Sequence, residues 1–376
     1  TYSGLEKVWY TVSASGNVNS EQETVLMDNS SNRVQGNRVF SRKITISAEE
    51  YNSNNVEVNV YATDFAGNTG ESKKTLKIDV TPPVITVSWD LNDPVNGKYY
   101  KDTRTATVTV TERNFNPDDV KYNITNTLNN NVTFGEWTSD GNINVSDSAK
   151  STCEIQFGCD GDYTFQPECT DLAGNFTKHE TKYEFTIDKT DPEITLAYSN
   201  EKTPEGTTAT EHNDIYYDGN RTATITFSDL NLSKNESAFI IQLEDLKVKK
   251  TYNLDKEDSI KELESLQDMK GEKVFSKVEI GDIIDGEKVN ENVNVNKKKF
   301  IVTLTFNGEE HYSNIGFSCK DLAGRGNSEL KYSGDTSDQT NTEFVIDKTP
   351  PELEVTYGIN TCLLYTSDAA DDLIGV

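Results

Sequence analysis

The residues best placed to do chemistry are aspartates that recur in two settings. One set precedes an apolar residue and an Ala-Gly pair, and the other lies two residues before a threonine that leads into a proline. Carboxylates bind hard divalent cations, but aspartates in such turns also accept hydrogen bonds from nearby backbone N–H groups. The sequence leaves both roles open for Asp64, Asp171 and Asp321 in the first set, for Asp79, Asp188 and Asp347 in the second, and for Asp191.

Other reactive residue types are few. The chain has 5 Cys and 3 His, without a Cys-x-x-Cys pair, a Gly-x-Ser-x-Gly elbow or a phosphate-binding loop, so we predict no enzyme and no bound cofactor. Cys169 and Cys319 stand where the first copy of the repeat has Ala62, which predicts small buried side chains. Cys153 and Cys169 lie equally far from Gly161, so a disulfide across a hairpin is the alternative.

Composition excludes several classes of protein. A formal net charge of -27 repels phosphate backbones, so nucleic acid is not an expected partner. Hydrophobic residues make up only 34% of the chain, and no apolar run is long enough to span a membrane. We expect a monomeric array in an extracellular setting, at the cell surface or cell wall.

A block of sequence occurs three times, with alternating strands on both sides. The copies of its core are Ala62-Thr63-Asp64-Phe65-Ala66-Gly67-Asn68, Cys169-Thr170-Asp171-Leu172-Ala173-Gly174-Asn175, and Cys319-Lys320-Asp321-Leu322-Ala323-Gly324. The alternation has period two, as in strands with one buried face, and proline ends each copy. The pattern predicts an all-β fold of tandem β-sandwiches arranged end to end.

The repeat also predicts domain boundaries. We expect an N-terminally truncated domain at 1–79, a complete domain at 80–188, and a domain at 189–347 with a charged insertion at 232–300. Residues 348–361 would be the first strand of a further repeat. The insertion is expected to decorate the edge of a sandwich or to contact a ligand, and a helix is predicted from a cap at Asp258-Ser259 to about Met269.

The Ala-x-Asp-x-Ala-Gly-Asn block followed by Ile-Asp-x-Thr-Pro-Pro resembles the immunoglobulin-like repeats of large bacterial surface proteins and adhesins. The resemblance implies a stalk or spacer, or an adhesive region. It also implies calcium as the cation for the seven aspartates. The alternatives are a module that binds a glycan or protein ligand on host or neighbouring cells, and an accessory region of a secreted polysaccharide-degrading enzyme.

The C-terminal segment breaks the pattern of the repeat. Read as codons, Cys362 to Asp371 resembles the adapter used in transposase-based DNA libraries. We therefore expect residues 362–376 to be a non-native, disordered tail.

Overall fold

A computed structural model describes residues 3–14, 23–31, 39–141, 146–200, 211–212, 216–234, 236–243, 250–313, 315–332 and 343–355. The predicted fold class is confirmed, because these residues form 30 strands, one α-helix and one 3-10 turn in successive β-sandwiches. The buried hydrophobic residues form three separate clusters along the chain. None of the helices in the described ranges is long and apolar enough to cross a membrane. The predicted tail at 362–376 lies outside these ranges.

The first domain has a four-stranded antiparallel sheet in the order β2-β1-β3-β4. Val12, Val56 and Val58 form its small core, and β1 lies inside the sheet between β2 and β3. The strands are β1 Leu5–Ala14, β2 Thr24–Asp28, β3 Ser53–Asp64 and β4 Thr69–Ile78.

The second domain pairs one sheet in the order β10-β12-β7-β5 with another in the order β6-β16-β13-β9. This is the strand order of an immunoglobulin-like sandwich, with a small third sheet β15-β14-β8 at one end. The strands are β5 Val84–Trp89, β6 Tyr99–Tyr100, β7 Arg104–Thr111, β8 Val120–Lys121, β9 Thr125–Asn126, β10 Thr133–Phe134, β11 Thr138–Ser139, β12 Lys150–Phe157, β13 Gly161–Phe165, β14 Glu168–Thr170, β15 Phe176–Lys178 and β16 Tyr183–Ile187.

The third domain repeats this plan with longer strands. Its sheets have the orders β23-β25-β20-β17-β29, β18-β19-β30-β26 and β22-β21-β27-β28. The elements are β17 Glu193–Asn200, β18 Glu211–His212, β19 Tyr216–Tyr217, β20 Arg221–Asp229, β21 Ala238–Leu243, β22 Lys250–Asn253, α1 Glu257–Glu264, β23 Phe275–Ile280, β24 Ile284–Lys288, β25 Asn296–Phe306, β26 His311–Tyr312, β27 Ile315–Lys320, β28 Gly326–Asn327, β29 Leu330–Tyr332 and β30 Phe344–Ile346.

The segment at 232–300 is not an edge decoration. It contributes β21 to the sheet β22-β21-β27-β28 and β23 to the sheet β23-β25-β20-β17-β29. Phe239 and Ile241 on β21 are fully buried in the domain core. The expectation failed because charged residues dominate the composition of the segment while its apolar residues alternate on short strands. The helix is also shorter than predicted: α1 ends at Glu264, and Lys256 occupies its N-cap position without a side-chain cap.

The structure does not form the alternative disulfide between Cys153 and Cys169. Cys153 lies on β12, which pairs with β7, whereas Cys169 lies on β14 in a different sheet, so the two do not face each other across a hairpin. Both thiols are free. For the segment predicted as the first strand of a further repeat, residues 348–355 form no strand and Leu353 is 89% exposed; residues 356–361 lie outside the described residues, so the strand assigned to the whole segment stays a prediction.

The arginine that begins β7 and the one that begins β20 are both buried among aromatic rings. The Arg104 guanidinium lies 3.9 Å from the Trp89 ring centroid and 4.3 Å from that of Tyr100. Arg221 repeats the arrangement at 4.0 Å from Tyr198 and 4.3 Å from Tyr217. A desolvated cation over aromatic faces is stabilising, so this contact fixes the Tyr-Tyr strand against the sheet.

We predict that Arg104→Ala lowers the free energy of unfolding of the second domain by about 2–4 kcal/mol, because both the cation–π contact and the packing of the side chain are lost. The Arg104→Lys variant should have a free energy of unfolding between those of wild type and Arg104→Ala, because lysine keeps the charge but not the planar group. Urea unfolding followed by tryptophan fluorescence measures the loss. The exposed neighbour Lys101→Ala is the control, and an equal effect of both alanine variants contradicts the prediction.

Candidate functional site at the domain junctions

The fold brings four of the seven predicted aspartates into two equivalent carboxylate clusters, each at the junction before a domain. In each cluster, one oxygen from each of three side chains lies within 4.8 Å of the others. These are the only such groups of potential metal ligands in the described parts of the chain. The first junction cluster is Asp79, Glu112 and Asp171, and the second junction cluster is Asp188, Asp229 and Asp321.

Three elements deliver the carboxylates to each junction. Asp188 follows β16 on the connection into the third domain, Asp229 ends β20, and Asp321 opens the turn after β27. The turn aspartate therefore meets the junction aspartate that precedes its own domain. That pairing joins residues far apart in sequence, and period-two patterning alone does not reveal it.

In the aspartates that precede an Ala-Gly pair, one carboxylate oxygen accepts hydrogen bonds from the backbone of the turn. Asp171 Oδ1 accepts the Ala173 and Asn175 N–H groups at 2.8 and 2.9 Å, and its Oδ2 accepts Asn175 Nδ2 at 2.8 Å. Gly174 closes the turn at φ 95°, a conformation that favours glycine. Asp64 makes the same bonds, and those from Asn68 hold its pKa at about 2. Asp64 is thus a satisfied turn residue.

The junction aspartates are held in a second repeated way. Oδ1 of Asp79 accepts the Thr81 N–H at 3.0 Å, and Oδ1 of Asp188 accepts the Thr190 N–H at 3.1 Å. The other oxygen of each accepts an asparagine amide just past the acidic residue of the strand. Asn114 Nδ2 donates to Asp79, and Asn231 Nδ2 donates to Asp188 at 2.5 Å.

The first junction cluster includes its own counter-charge. Arg113 Nη2 lies 3.2 Å from Asp79 Oδ1, and the two side chains are 5% and 3% exposed. Arg113 Nη1 also pairs with Asp147 at 2.8 Å. Burial raises the pKa of Glu112, while the positive charge of Arg113 acts in the opposite direction. The attraction of such a partner offsets part of the cost of desolvating the carboxylate.

The second junction cluster has no arginine at that position, because Leu230 stands where the first has Arg113. Burial, with repulsion from Asp188, raises the pKa of Asp229 to about 8 and that of Asp321 to about 7. Burial also raises the pKa of Asp188. The cations that act on the cluster are Arg325, which pairs with Asp191 at 2.9 Å, and Lys297.

Asp321 carries an oxygen without a partner. Its Oδ1 accepts the Arg325 N–H at 2.9 Å, whereas its buried Oδ2 has no hydrogen bond in the structure. The side chain that fills this role in the first cluster is Asn175, and Arg325 replaces it here. Asp321 is 3% exposed, so the free oxygen is also shielded from bulk water.

The structure does not bring the other predicted ligands into a cluster. Asp191 pairs with Arg325, and Asp347 Oδ1 accepts the Thr349 N–H at 3.1 Å. Two cluster members, Glu112 and Asp229, were missed from the sequence. Their signal was an acidic residue at the same distance beyond each Arg-Thr-Ala-Thr strand, visible when the two strands are aligned.

The remaining reactive residues have structural contacts. Cys169 and Cys319 are buried as predicted, and burial raises the pKa of both thiols. His179 stacks on Tyr183, and His311 pairs with Glu343 at 2.8 Å. His212 has no described side chain.

No protein-family model matches the chain, and no curated protein matches its sequence. Among solved structures, it is similar to the Escherichia coli adhesin FdeC, described as a broadly conserved adhesin eliciting protection against urinary tract infections. The identity is 12%, the match covers 74% of each chain, and the TM-score is 0.28. Because this TM-score is low, the likeness carries no argument about function.

We predict that, in metal-free buffer, the third domain loses stability as the pH rises from about 5 to about 8. The raised pKa of Asp229 means that the folded state holds a proton that the unfolded state releases near pH 4, so the stabilisation present at low pH disappears as the pH passes through the folded pKa. In the Asp229→Asn variant, the loss in the free energy of unfolding between about pH 5 and about pH 8 should be smaller than in wild type by roughly 2–4 kcal/mol.

The measurement is chemical unfolding followed by circular dichroism in chelator-containing buffer across this pH range. Asp258→Asn, at an exposed position on α1, is the matched control. Parallel pH profiles for wild type and Asp229→Asn would show that the buried cluster does not govern the dependence.

Proposed function

We propose that the chain is a spacer region of an extracellular bacterial surface protein, in which locked junctions hold neighbouring β-sandwiches in fixed orientation. The observation that carries the proposal is the network of polar contacts across the first junction. A spacer must transmit orientation from one domain to the next, and this requires contacts across the junction as well as a short connection.

At the first junction, side chains from both domains meet around Asp79. Asn52 Oδ1 accepts Arg113 Nη2 at 2.8 Å, and Asn54 Nδ2 donates to Asn114 Oδ1 at 2.6 Å. Asn52 and Asn54 belong to the first domain, whereas Arg113 and Asn114 belong to the second. Asn175 Nδ2 also donates to the Asp79 carbonyl at 3.3 Å. Hydrogen bonds to charged groups contribute about 1.5–3 kcal/mol each, which favours one orientation of the pair.

The second junction is tied on both sides of its connection. Asp160 of the second domain accepts the Lys189 N–H at 2.8 Å and the Thr190 hydroxyl at 2.5 Å. In the third domain, Asn327 Nδ2 donates to the Pro192 carbonyl at 2.8 Å. Gly324 packs so closely on Val95 of the second domain that an added Cβ would lie 2.8 Å from Val95 Cγ1. These contacts support a fixed junction here too.

The acidic composition fits this setting. A net charge of -27 keeps such arrays soluble and mutually repelling, which agrees with a monomeric array at the cell surface.

A second candidate function is ligand binding by the second domain. An open cavity of about 660 Å³ lies beside β9 and β10, and the exposed Asn129, Asn131 and Phe134 line it. Phe134 is 50% exposed and packs against Tyr122 at 5.0 Å between ring centroids. Amides beside an exposed aromatic ring match the polar and apolar faces of a sugar.

We predict that the double variant Asn52→Ala/Asn54→Ala loosens the first junction without unfolding either domain. Small-angle X-ray scattering of the full chain should give a broader distribution of the radius of gyration than wild type, because the side chains that bridge the two domains are lost. Both domains should stay folded, because neither Asn52 nor Asn54 belongs to the hydrophobic core of the first domain. Asn55→Ala, whose side chain is exposed on the same strand, is the control.

Identical distributions for the double variant and the control would contradict a locked junction. A glycan array probed with the full chain separates the two candidate functions. The spacer role predicts no retained glycan, whereas specific retention that Asn131→Ala/Phe134→Ala abolishes would favour ligand binding.

A further inference from the structure

The two junction clusters share an architecture but differ at two positions. The first has Arg113 and Asn175 where the second has Leu230 and Arg325. The exchange removes a buried cation and a hydrogen-bond donor from the second cluster. It leaves three buried carboxylates, one of which has an oxygen without a partner.

We propose that Asp188, Asp229 and Asp321 form a calcium site at the junction between the second and third domains, and that Arg113 takes the place of the ion at the equivalent first junction. The proposal goes beyond the spacer role, since calcium binding can be measured whether or not the junction is stiff.

The spacing of the oxygens suits an ion of this size. Calcium takes oxygen ligands at 2.3–2.6 Å, so two oxygens on opposite sides of one ion are about 4.8 Å apart. The three carboxylates offer oxygens within that limit. Three side chains can provide at most six oxygens, and waters complete a coordination number of six to eight.

The chemistry of the donors selects the class of cation. All three are carboxylates, and neither histidine nor cysteine belongs to the cluster. Hard oxygen ligands favour calcium or magnesium over zinc and copper. Calcium tolerates irregular geometry, whereas magnesium requires a nearly octahedral shell and dehydrates reluctantly. A site of irregular geometry built from three separate elements therefore favours calcium.

The free oxygen of Asp321 separates this site from an ordinary acidic patch. A buried carboxylate oxygen without a hydrogen bond is costly, and the equivalent oxygen of Asp171 is satisfied by Asn175 at 2.8 Å. Arg325 does not fill the gap, because its side chain pairs with Asp191. A bound cation would satisfy Asp321 Oδ2 and offset the repulsion among the three carboxylates.

The test is calorimetric titration of the chelator-treated full chain with calcium chloride in 150 mM sodium chloride at pH 8. We expect one saturable site per chain, with a dissociation constant on the order of 0.1–1 mM, as in extracellular calcium modules. At about 10 mM calcium, the melting temperature of the third domain should rise by about 5 °C. Magnesium should bind at least about tenfold more weakly.

Matched variants show which carboxylates bind the ion. Asp229→Asn should weaken binding by at least about tenfold, whereas Glu112→Gln at the equivalent position and the exposed Asp258→Asn should leave it unchanged. Leu230→Arg should abolish binding by installing the counter-charge of the first junction. Arg113→Leu should raise the stoichiometry from one towards two. If the Asp229→Asn variant loses its β-sheet circular dichroism signal, calcium binding by the Leu230→Arg variant tests the site in its place.

Several results would overturn the proposal. One is the absence of a saturable site up to about 10 mM calcium. Another is calcium binding that persists in both the Asp229→Asn and the Leu230→Arg variants. A third is calcium binding that Glu112→Gln weakens as much as Asp229→Asn does. An equal response to magnesium would reject calcium as the ion, and an equal response to sodium chloride at matched ionic strength would show charge screening only.

Discussion

The junctions depend on one constraint, which is that a carboxylate buried between two β-sandwiches must find a positive partner. Asp79 and Asp188 leave bulk water where one domain meets the next, and an isolated buried charge is strongly destabilising. The rest of each junction is arranged around this requirement. The threonine N–H, the asparagine amide and the turn aspartate all occupy positions set by that carboxylate.

The two junctions meet the constraint differently. At the first junction the counter-charge is the Arg113 guanidinium, which is held by Asp79, Asp147 and Asn52. The second junction cluster keeps the same frame without that arginine, and burial raises the pKa of Asp229 to about 8 and that of Asp321 to about 7. In the proposed calcium site, a bound cation completes the second junction cluster. Arg113 would then hold the first junction at any calcium concentration, whereas bound calcium would add to the polar contacts that hold the second junction.

Much of the fold was predictable because it is local. Alternation at Ala106, Val108 and Val110 marks a buried strand face wherever it occurs, and these residues are fully buried. The clusters were predictable only in part, since Asp171 meets Asp79 through tertiary structure and Glu112 looks like any surface acid in sequence. The core strands within 232–300 were hidden because lysine, glutamate and aspartate dominate the composition of the segment around them.

The most direct test of the account is a crystal structure of the chain grown with calcium, with anomalous diffraction used to locate the ion. The account predicts an anomalous peak about 2.3–2.6 Å from oxygens of Asp188, Asp229 and Asp321, and none among Asp79, Glu112 and Asp171, where Arg113 holds the junction. A peak in both clusters would contradict the role of Arg113, and a peak in neither would contradict the calcium site.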